Sequence, residues 1–314
     1  MRRALIIGSQ GQDGSYLFEL LNRQGYFVTG LDRRGGRVSD GSLTSPFDVT
    51  DTDSVKGMMA NLPADEIYYL AAYHHSSEEK IFDDNMLLQR SWAVHVQGLS
   101  SLLEAARRMD SPAKIFYAAS SHVFGSADTS PQDETTAIKP NCIYGITKAA
   151  AISLCQYYRE HHGLFVSVGI LYNHESPRRK ETFVTQKIIR AARAIAREEP
   201  ARLVLGDLQA RVDWGWAPDY VEAMGRILKL SYADDFIIAT GETHSVEEFV
   251  TLAFSFLGLD WRKWVLEDKS LIKKTGKNFL CGSAAKLKAA TGWEPTVSFK
   301  YLVQRMMMAH EIPK

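Results

Sequence analysis

The stretch Ala4-Leu-Ile-Ile-Gly8-Ser-Gln-Gly11-Gln-Asp-Gly14 decides the fold of this 314-residue chain. An apolar strand runs into three glycines at Gly-x-x-Gly-x-x-Gly spacing, and a helical pattern follows over residues 15–24. Glycines permit a tight turn and let the backbone approach a pyrophosphate closely, while the helix N-terminus adds free N–H groups and a favourable dipole. The stretch therefore predicts a dinucleotide-binding turn.

Short apolar strands alternate with helical patterns through the first half of the chain. The strands are predicted over residues 4–8, 27–31, 66–71, 114–119 and 165–171, and helices between them over 15–24, 91–109 and 147–161. This alternation predicts an α/β fold with a doubly wound parallel sheet of the Rossmann type. Ligands of such sheets bind at the carboxyl ends of the strands. Those ends fall at Gly8, Asp32, Ala71, Ser120 and Tyr172.

The pattern loosens after residue 172. A polar loop over 173–181 leads to a basic helix that ends near residue 197, and a strand over 236–239 and helices over 246–257 and 300–310 come later. We predict a dinucleotide-binding domain over residues 1–172, to which a segment near 212–242 returns. Residues 173–211 and 243–314 are predicted to form a smaller, interleaved C-terminal substrate lobe.

Composition argues against several classes of protein. Hydrophobic residues make up 45% and charged residues 24% of the chain, which is typical of a globular protein. The 37 lysines and arginines balance the 37 aspartates and glutamates, so no electrostatic signature of nucleic acid or membrane binding is present. No apolar run approaches the roughly 18 residues that a membrane-spanning helix needs.

Cysteine and histidine usage predicts a cytoplasmic protein without a metal. The three cysteines have no metal-ligand spacing, which is typical of reduced thiols. The pairs His74-His75 and His161-His162 have no acidic or cysteine partner at ligand spacing, so no metal site is expected. Met1-Arg-Arg runs straight into the first strand, so no cleavable signal peptide is expected.

A second motif, Tyr144-Gly-Ile-Thr-Lys148, predicts proton chemistry. Helical spacing places Tyr144 and Lys148 on one face. Lys148 can hydrogen-bond a nicotinamide ribose, and its charge favours a tyrosinate at Tyr144. The tyrosine can then remove a proton from a substrate hydroxyl while hydride passes to the nicotinamide ring. Ser120, at a strand end, can hold the same oxygen.

The residues around the glycine turn leave the choice of cofactor open. Asp32 ends the second strand at the position that takes the ribose 2′-hydroxyl of NAD. Arg33 and Arg34 come immediately after it and can clamp the 2′-phosphate of NADP. Asp48-Val49 is placed for the adenine end, because a small acidic turn after a third strand commonly lies there in such domains. The predicted cofactor set is Gly8, Gln10, Gly11, Gln12, Asp13, Gly14, Asp32, Arg33, Asp48, Val49, Leu70, Ala71, Ala72, Tyr144 and Lys148.

Four long strings resemble the GDP-mannose 4,6-dehydratase family of extended short-chain dehydrogenases. They are Gly11-Gln-Asp-Gly-Ser-Tyr-Leu17, Tyr172-Asn-His-Glu-Ser-Pro-Arg-Arg179, Thr182-Phe-Val-Thr-Gln-Lys-Ile188 and Asp219-Tyr-Val-Glu-Ala-Met224. The resemblance implies oxidation of carbon 4 in a nucleotide-linked hexose, with a GDP-linked substrate. Together with the two arginines after Asp32 it favours NADP over NAD. We expect a homodimer. A tetramer is the alternative, but the family's tetramer is built partly by a segment that is shorter here, over residues 33–48.

The same resemblance implies a set of substrate residues. Asn173 should meet the phosphate or sugar of the substrate, and Arg178, Thr182, Val184 and Lys187 should line the nucleotide-sugar pocket. Arg211 stands one place before the family's arginine in its diphosphate-binding segment, and Lys273 stands where an arginine is expected in the nucleotide pocket. Arg211 and Lys273 are therefore predicted to bind the substrate.

One departure from the family concerns the chemistry after oxidation. The family has a glutamate two places after the serine or threonine of the triad, which takes the carbon-5 proton and eliminates water from carbon 6. His122 stands there in this chain. Because imidazole can act as acid or base, 4,6-dehydration, 4-epimerisation and simple oxidation or reduction all remain open. A non-catalytic NAD(P)-binding protein is the remaining alternative.

Overall fold

The computed structural model describes residues 1–74, 83–271 and 280–309. Within these ranges a sheet of six parallel strands forms the centre of the molecule. The strands are β1 (Arg3–Ile7), β2 (Phe27–Leu31), β3 (Glu66–Tyr69), β4 (Lys114–Ala118), β5 (Val166–Leu171) and β6 (Asp235–Ile238). They lie in the order β2-β1-β3-β4-β5-β6, which confirms the predicted doubly wound α/β sheet.

Helices cover both faces of this sheet and build the smaller lobe. In chain order they are α1 (Gln12–Arg23), α2 (Thr52–Asn61), α3 (Asp84–Trp92), α4 (Gly98–Ala106), α5 (Ile143–His162), α6 (Val184–Ala196), α7 (Ala217–Leu228), α8 (Val246–Phe256), α9 (Ala285–Thr291) and α10 (Phe299–Ala309). A π-helical turn, Ala93–Gln97, joins α3 to α4. Short 3₁₀ turns occur at Ser121–Phe124, Trp261–Lys263 and Lys269–Leu271.

The central sheet is buried on both faces, as a parallel sheet requires. Every residue of β5 is buried, and four of the five residues of β1 are. One hydrophobic core lies between the sheet and α2, α4 and α5, and a second lies between the sheet and α1 and α7. Segment 212–242 contributes both α7 and β6, so the chain returns to the sheet after leaving it.

A third hydrophobic core holds the C-terminal elements together. It collects side chains from α6, α8 and α10, for example Ile188, Phe249 and Leu302. Among the described residues of this half, three short strand pairs lie outside the central sheet: Asn173–Glu175 with Trp214–Trp216, Arg211–Val212 with His244–Ser245, and Leu203–Leu205 with Val265–Glu267. The predicted domain boundaries remain predictions.

Between β2 and Asp48 the chain adds no strand to the central sheet. A short hairpin, Gly36–Arg37 with Leu43–Thr44, lies beside β2 instead. Residues 35–46 are rich in glycine and serine and contain a proline, and such residues weaken strands. Gly35 and Gly41 have φ values of +86° and +88°, which favour turns over extended pairing.

Candidate active site

A cleft of about 490 Å³ opens at the carboxyl ends of β1, β3, β4 and β5. The glycine turn forms one wall, and the N-terminal turns of α5 form another. The predicted residues on its walls are Gly8, Gln10, Gly11, Gln12, Asp13, Gly14, Leu70, Ala72, Ser120, His122, Tyr144, Lys148, Asn173 and Arg178. The fold therefore brings the two sequence motifs into one site.

The glycine turn fits a pyrophosphate. Gly8 has a φ of +92°, and a Cβ on Gly14 would lie 2.3 Å from the carbonyl oxygen of Gly8. Gly11 is the N-cap of α1, and it has no side chain with which to cap the first N–H groups of the helix. An anionic phosphate at this helix end would satisfy them.

Asp32 links the glycine turn to the segment that follows β2. Its carboxylate accepts hydrogen bonds from the backbone N–H groups of Gln10, at 3.3 Å, and of Arg34, at 3.4 Å. Arg34 lies on the cleft wall. The predicted residues Asp32, Arg33, Asp48, Val49 and Ala71 are not among the described wall residues. Asp48 instead accepts from the backbone N–H and the hydroxyl of Thr50.

Lys148 is buried beneath Tyr144 in α5. Its ammonium group donates to the carbonyl oxygen of Ala118 at 2.6 Å and lies 5.8 Å from the ring centre of Tyr144. Burial lowers the pKa of Lys148 to about 7. Burial also raises the pKa of Tyr144, and Arg179 is the cation that opposes this rise. The expectation that the charge of Lys148 favours a tyrosinate at Tyr144 stays a prediction.

Three described histidines surround the ring of Tyr144. The ring centres of His74 and His95 lie 5.2 Å from it and that of His122 lies 5.8 Å away, all three edge-on. Sequence reasoning missed His95, because nothing within a helical pattern indicates that this residue reaches Tyr144. The π-helical turn carries His95, and such turns are frequent at functional sites.

His95 has a defined tautomer. The backbone N–H of Tyr73 donates to its Nε2 atom at 3.0 Å, so the proton is on Nδ1, which donates to the hydroxyl of Thr147 at 2.8 Å. That hydroxyl donates to the carbonyl oxygen of Tyr144 at 3.1 Å. Burial, with the nearby charge of Lys148, lowers the pKa of His95 to about 2, so its ring stays neutral. His95 thereby ties the loop after β3 to the first turn of α5.

His122 lies between Ser120 and α5. Ser120 caps the 3₁₀ turn by accepting a hydrogen bond from the backbone N–H of His122 at 3.3 Å. The Nδ1 atom of His122 lies 3.7 Å from Sγ of Cys142, the N-cap residue of α5. A Cβ on Gly145 would lie 2.5 Å from the carbonyl oxygen of His122, so this glycine permits the close approach.

The loop after β5 brings two adjacent arginines to the cleft in different ways. Arg178 turns toward α1, where it pairs with Glu19 at 2.8 Å and contacts the ring of Tyr16. Arg179 packs on the ring of Phe183 at 3.7 Å, on the cleft wall. Sequence reasoning assigned no role to Arg179.

Four other predicted substrate residues, Thr182, Val184, Lys187 and Arg211, are not among the described wall residues of this cleft. Thr182 is exposed, and Val184 and Lys187 are half-buried near the start of α6, where burial lowers the pKa of Lys187. Arg211 donates to the hydroxyl of Thr243 at 3.1 Å and pairs with Glu248 at 3.3 Å. Lys273 lies outside the described residues, as does His75.

Metal ligands are not clustered anywhere in the described residues. No group of three or more histidine, cysteine, aspartate or glutamate side chains in that part of the chain could hold a metal ion. Among the helices of the same ranges, none is both long enough and apolar enough to cross a membrane.

A glycine turn and a Tyr-x-x-x-Lys helix in one cleft define an enzyme of the extended short-chain dehydrogenase/reductase type. Solved structures share this fold. The protein RMD from Pseudomonas aeruginosa, complexed with NADPH, superimposes with a TM-score of 0.82 at 22% identity, covering 98% of both chains. UDP-glucose 4-epimerase from Thermotoga maritima gives a TM-score of 0.84 at 21% identity, covering 98% of this chain and 97% of the epimerase.

Sequence comparison identifies the family. Residues 5–306 match the family described as GDP-mannose 4,6 dehydratase. GDP-mannose 4,6 dehydratase 2 of Arabidopsis thaliana is 40% identical, and the alignment covers 97% of this chain and 85% of the relative. The human GDP-mannose 4,6 dehydratase is 36% identical, with 98% and 90% covered. The chain belongs to the GDP-mannose 4,6-dehydratase family.

Proposed function

We propose that this enzyme oxidises carbon 4 of a GDP-linked hexose with a nicotinamide dinucleotide held on the glycine turn. The observation that carries the proposal is the meeting of Gly11, Tyr144 and Lys148 on the walls of one cleft. When bound, the dinucleotide supplies the hydride acceptor. Family membership supports the nucleotide-sugar substrate.

Tyr144 takes the proton of the carbon-4 hydroxyl in this proposal, and the hydroxyl of Ser120 holds the same oxygen. Because burial raises the pKa of Tyr144, ionisation needs nearby positive charge. Lys148, below the ring, and Arg179, on the cleft wall, are the candidates to supply this charge. His95 keeps the backbone of Tyr144 in place and stays neutral.

His122 is the proposed acid or base for the step after oxidation. Its ring stands edge-on to Tyr144 on the cleft wall. Dehydration at carbons 5 and 6 is the outcome that family membership favours. A 4-epimerase or 4-reductase is the second candidate, because a histidine occupies the position where the family resemblance implies a glutamate.

NADP is the proposed cofactor over NAD. Arg34, on the cleft wall near Gln10, offers a guanidinium to a 2′-phosphate. Asp32 is held by two backbone N–H groups, and this reduces the repulsion that its carboxylate would exert. We also propose a cytoplasmic homodimer in which residues 173–211 and 243–314 form the substrate lobe, with Arg211 and Lys273 toward the nucleotide.

Product mass tests the proposal. The purified enzyme is incubated with GDP-mannose and with a panel of other nucleotide sugars, in the presence of NADP or NAD. The masses of the products are then measured by mass spectrometry. Loss of water indicates dehydration, loss of two hydrogens indicates oxidation, and an unchanged mass with an altered retention time indicates epimerisation. If no nucleotide sugar reacts with either cofactor, the proposed function is wrong.

A further inference from the structure

His174 has an acceptor at each ring nitrogen. Its Nδ1 atom lies 2.7 Å from the carbonyl oxygen of Tyr172, and its Nε2 atom lies 2.9 Å from both carboxylate oxygens of Asp13. A carbonyl and a carboxylate can only accept, so both nitrogens must donate. The ring is therefore an imidazolium, and it is buried, with 8% of its side chain exposed.

This ion pair joins two segments that serve different halves of the cleft. Asp13 lies in the first turn of α1, which follows the glycine turn, and His174 lies in the short strand Asn173–Glu175 that follows β5. The side-chain amide of Gln12 makes two further hydrogen bonds between the same two segments. Its Nε2 atom donates to the carbonyl oxygen of His174 at 3.1 Å, and its Oε1 atom accepts from the hydroxyl of Ser176 at 2.8 Å.

The side chains of Gln12 and Asp13 thus hydrogen-bond the segment that follows β5. Both residues were predicted to bind the cofactor, and both lie on the cleft wall beside Gly11. The same segment carries Asn173 and Arg179, which also lie on the cleft wall.

The ionisable groups that face the pair come from three further positions. Arg179 lies on the same segment, Tyr144 on α5, and Tyr220 on α7, where its ring stacks on that of His174 at 4.6 Å. Burial works against both charges, but the mutual attraction of the pair raises the pKa of His174 and lowers that of Asp13. The pair's contribution to stability is lost as pH rises through the raised pKa of His174, or as pH falls through the lowered pKa of Asp13.

We propose that His174 is a positioning residue that, as an imidazolium bound to Asp13, couples dinucleotide binding on α1 to nucleotide-sugar binding on the loop after β5. This inference rests on the proposed function, because it requires two ligands in one cleft. Coupling between two sites is reciprocal, so each ligand should strengthen binding of the other by the same factor. Typical coupling factors are about 5–150-fold.

Calorimetry on the full chain measures this factor. The Kd of NADP is determined with and without saturating GDP for the wild type and for His174→Gln and Asp13→Asn. We expect tighter NADP binding with GDP in the wild type, by at least about fivefold, and a factor near one in both variants. The matched control is Asp128→Asn, which breaks an exposed ion pair with Lys139 and should keep the full factor.

Two further readouts do not depend on ligands. Nitrogen NMR of histidine-labelled protein should show both ring nitrogens of His174 protonated at neutral pH. The Tm difference between wild type and His174→Gln should shrink at alkaline pH, as the imidazolium loses its proton. A neutral His174 ring, or variants that keep the full coupling factor, overturns the inference and leaves the proposed function standing. A wild type that binds neither NADP nor GDP overturns both.

Discussion

The ammonium group of Lys148 donates to the carbonyl oxygen of Ala118 at 2.6 Å, directly beneath the ring of Tyr144. The site thus keeps a lysine in a place where its charge is poorly solvated. Burial lowers its pKa from the usual 10.5 to about 7. A lysine that titrates near neutral pH can change charge as the reaction proceeds, which a surface lysine cannot.

Lys148→Met should stabilise the fold and abolish activity. The unfolded chain binds the lysine proton more tightly than the folded chain, so Lys148 destabilises the fold below pH 7, and this cost disappears as pH rises from about 7 toward 10.5. We expect the variant to have a higher Tm than wild type at about pH 6, with the difference shrinking by about pH 10. Calorimetric scans across this range measure it. A Tm difference that does not vary with pH would contradict the burial argument.

Tyr144→Phe should remove hydride transfer and spare cofactor binding. Loss of a general base typically costs on the order of 10²–10⁴-fold in rate. Single-turnover reduction of bound cofactor by a verified substrate gives the rate, and calorimetry gives the cofactor Kd. Tyr117→Phe is the matched control, because Tyr117 is also buried near Lys148 and its hydroxyl has no hydrogen-bond partner among the described residues. Full activity in Tyr144→Phe would remove this residue from the mechanism.

Two glycines of the turn should respond differently to substitution. A Cβ at Gly11 would meet only the carbonyl oxygen of Gly8 within the described residues, at 3.3 Å, so Gly11→Val should fold while its side chain obstructs the pyrophosphate. A Cβ at Gly14 would lie 2.3 Å from that oxygen, so Gly14→Ala should lower Tm as well. Thermal scans and NADP titrations of both variants separate the effects. Unchanged NADP affinity in Gly11→Val would show that the phosphate lies elsewhere.

The sheet was predictable because its strands and the glycine turn are local patterns. Tyr144 and Lys148 are also local, being one helical turn apart. His95, Arg179 and the pair of Asp13 with His174 were not predictable as contacts, because each depends on how distant segments meet. His95 requires the π-helical turn, and His174 requires a contact across 161 residues of chain. The hairpin of Gly36–Arg37 with Leu43–Thr44 was not predicted either, because its strands are only two residues long and show no apolar run.

The choice between NADP and NAD should depend on Arg34 rather than Arg33. Both arginines are exposed, but only Arg34 is among the described residues of the cleft wall. We expect Arg34→Ala to weaken NADP binding by about 10- to 150-fold, one charge-assisted contact being worth roughly 1.5–3 kcal/mol, and to leave NAD binding nearly unchanged. Arg33→Ala is the matched control. Equal losses for NAD and NADP in Arg34→Ala would place its contact away from the 2′-phosphate.

His122 should make dehydration slow relative to oxidation. Elimination requires a base at carbon 5 and an acid at the carbon-6 hydroxyl, and one carboxyl group can serve both in turn. A histidine can do so only if its ring starts neutral and reaches both atoms, and here its Nδ1 atom faces Sγ of Cys142 at 3.7 Å. We therefore expect GDP-mannose to produce reduced cofactor on the enzyme faster than it loses water. His122→Glu should increase water loss relative to that oxidation, whereas His122→Gln, which has similar size but no basic group, should not. Rapid dehydration by wild type, equally fast in His122→Ala, would assign the elimination to another residue.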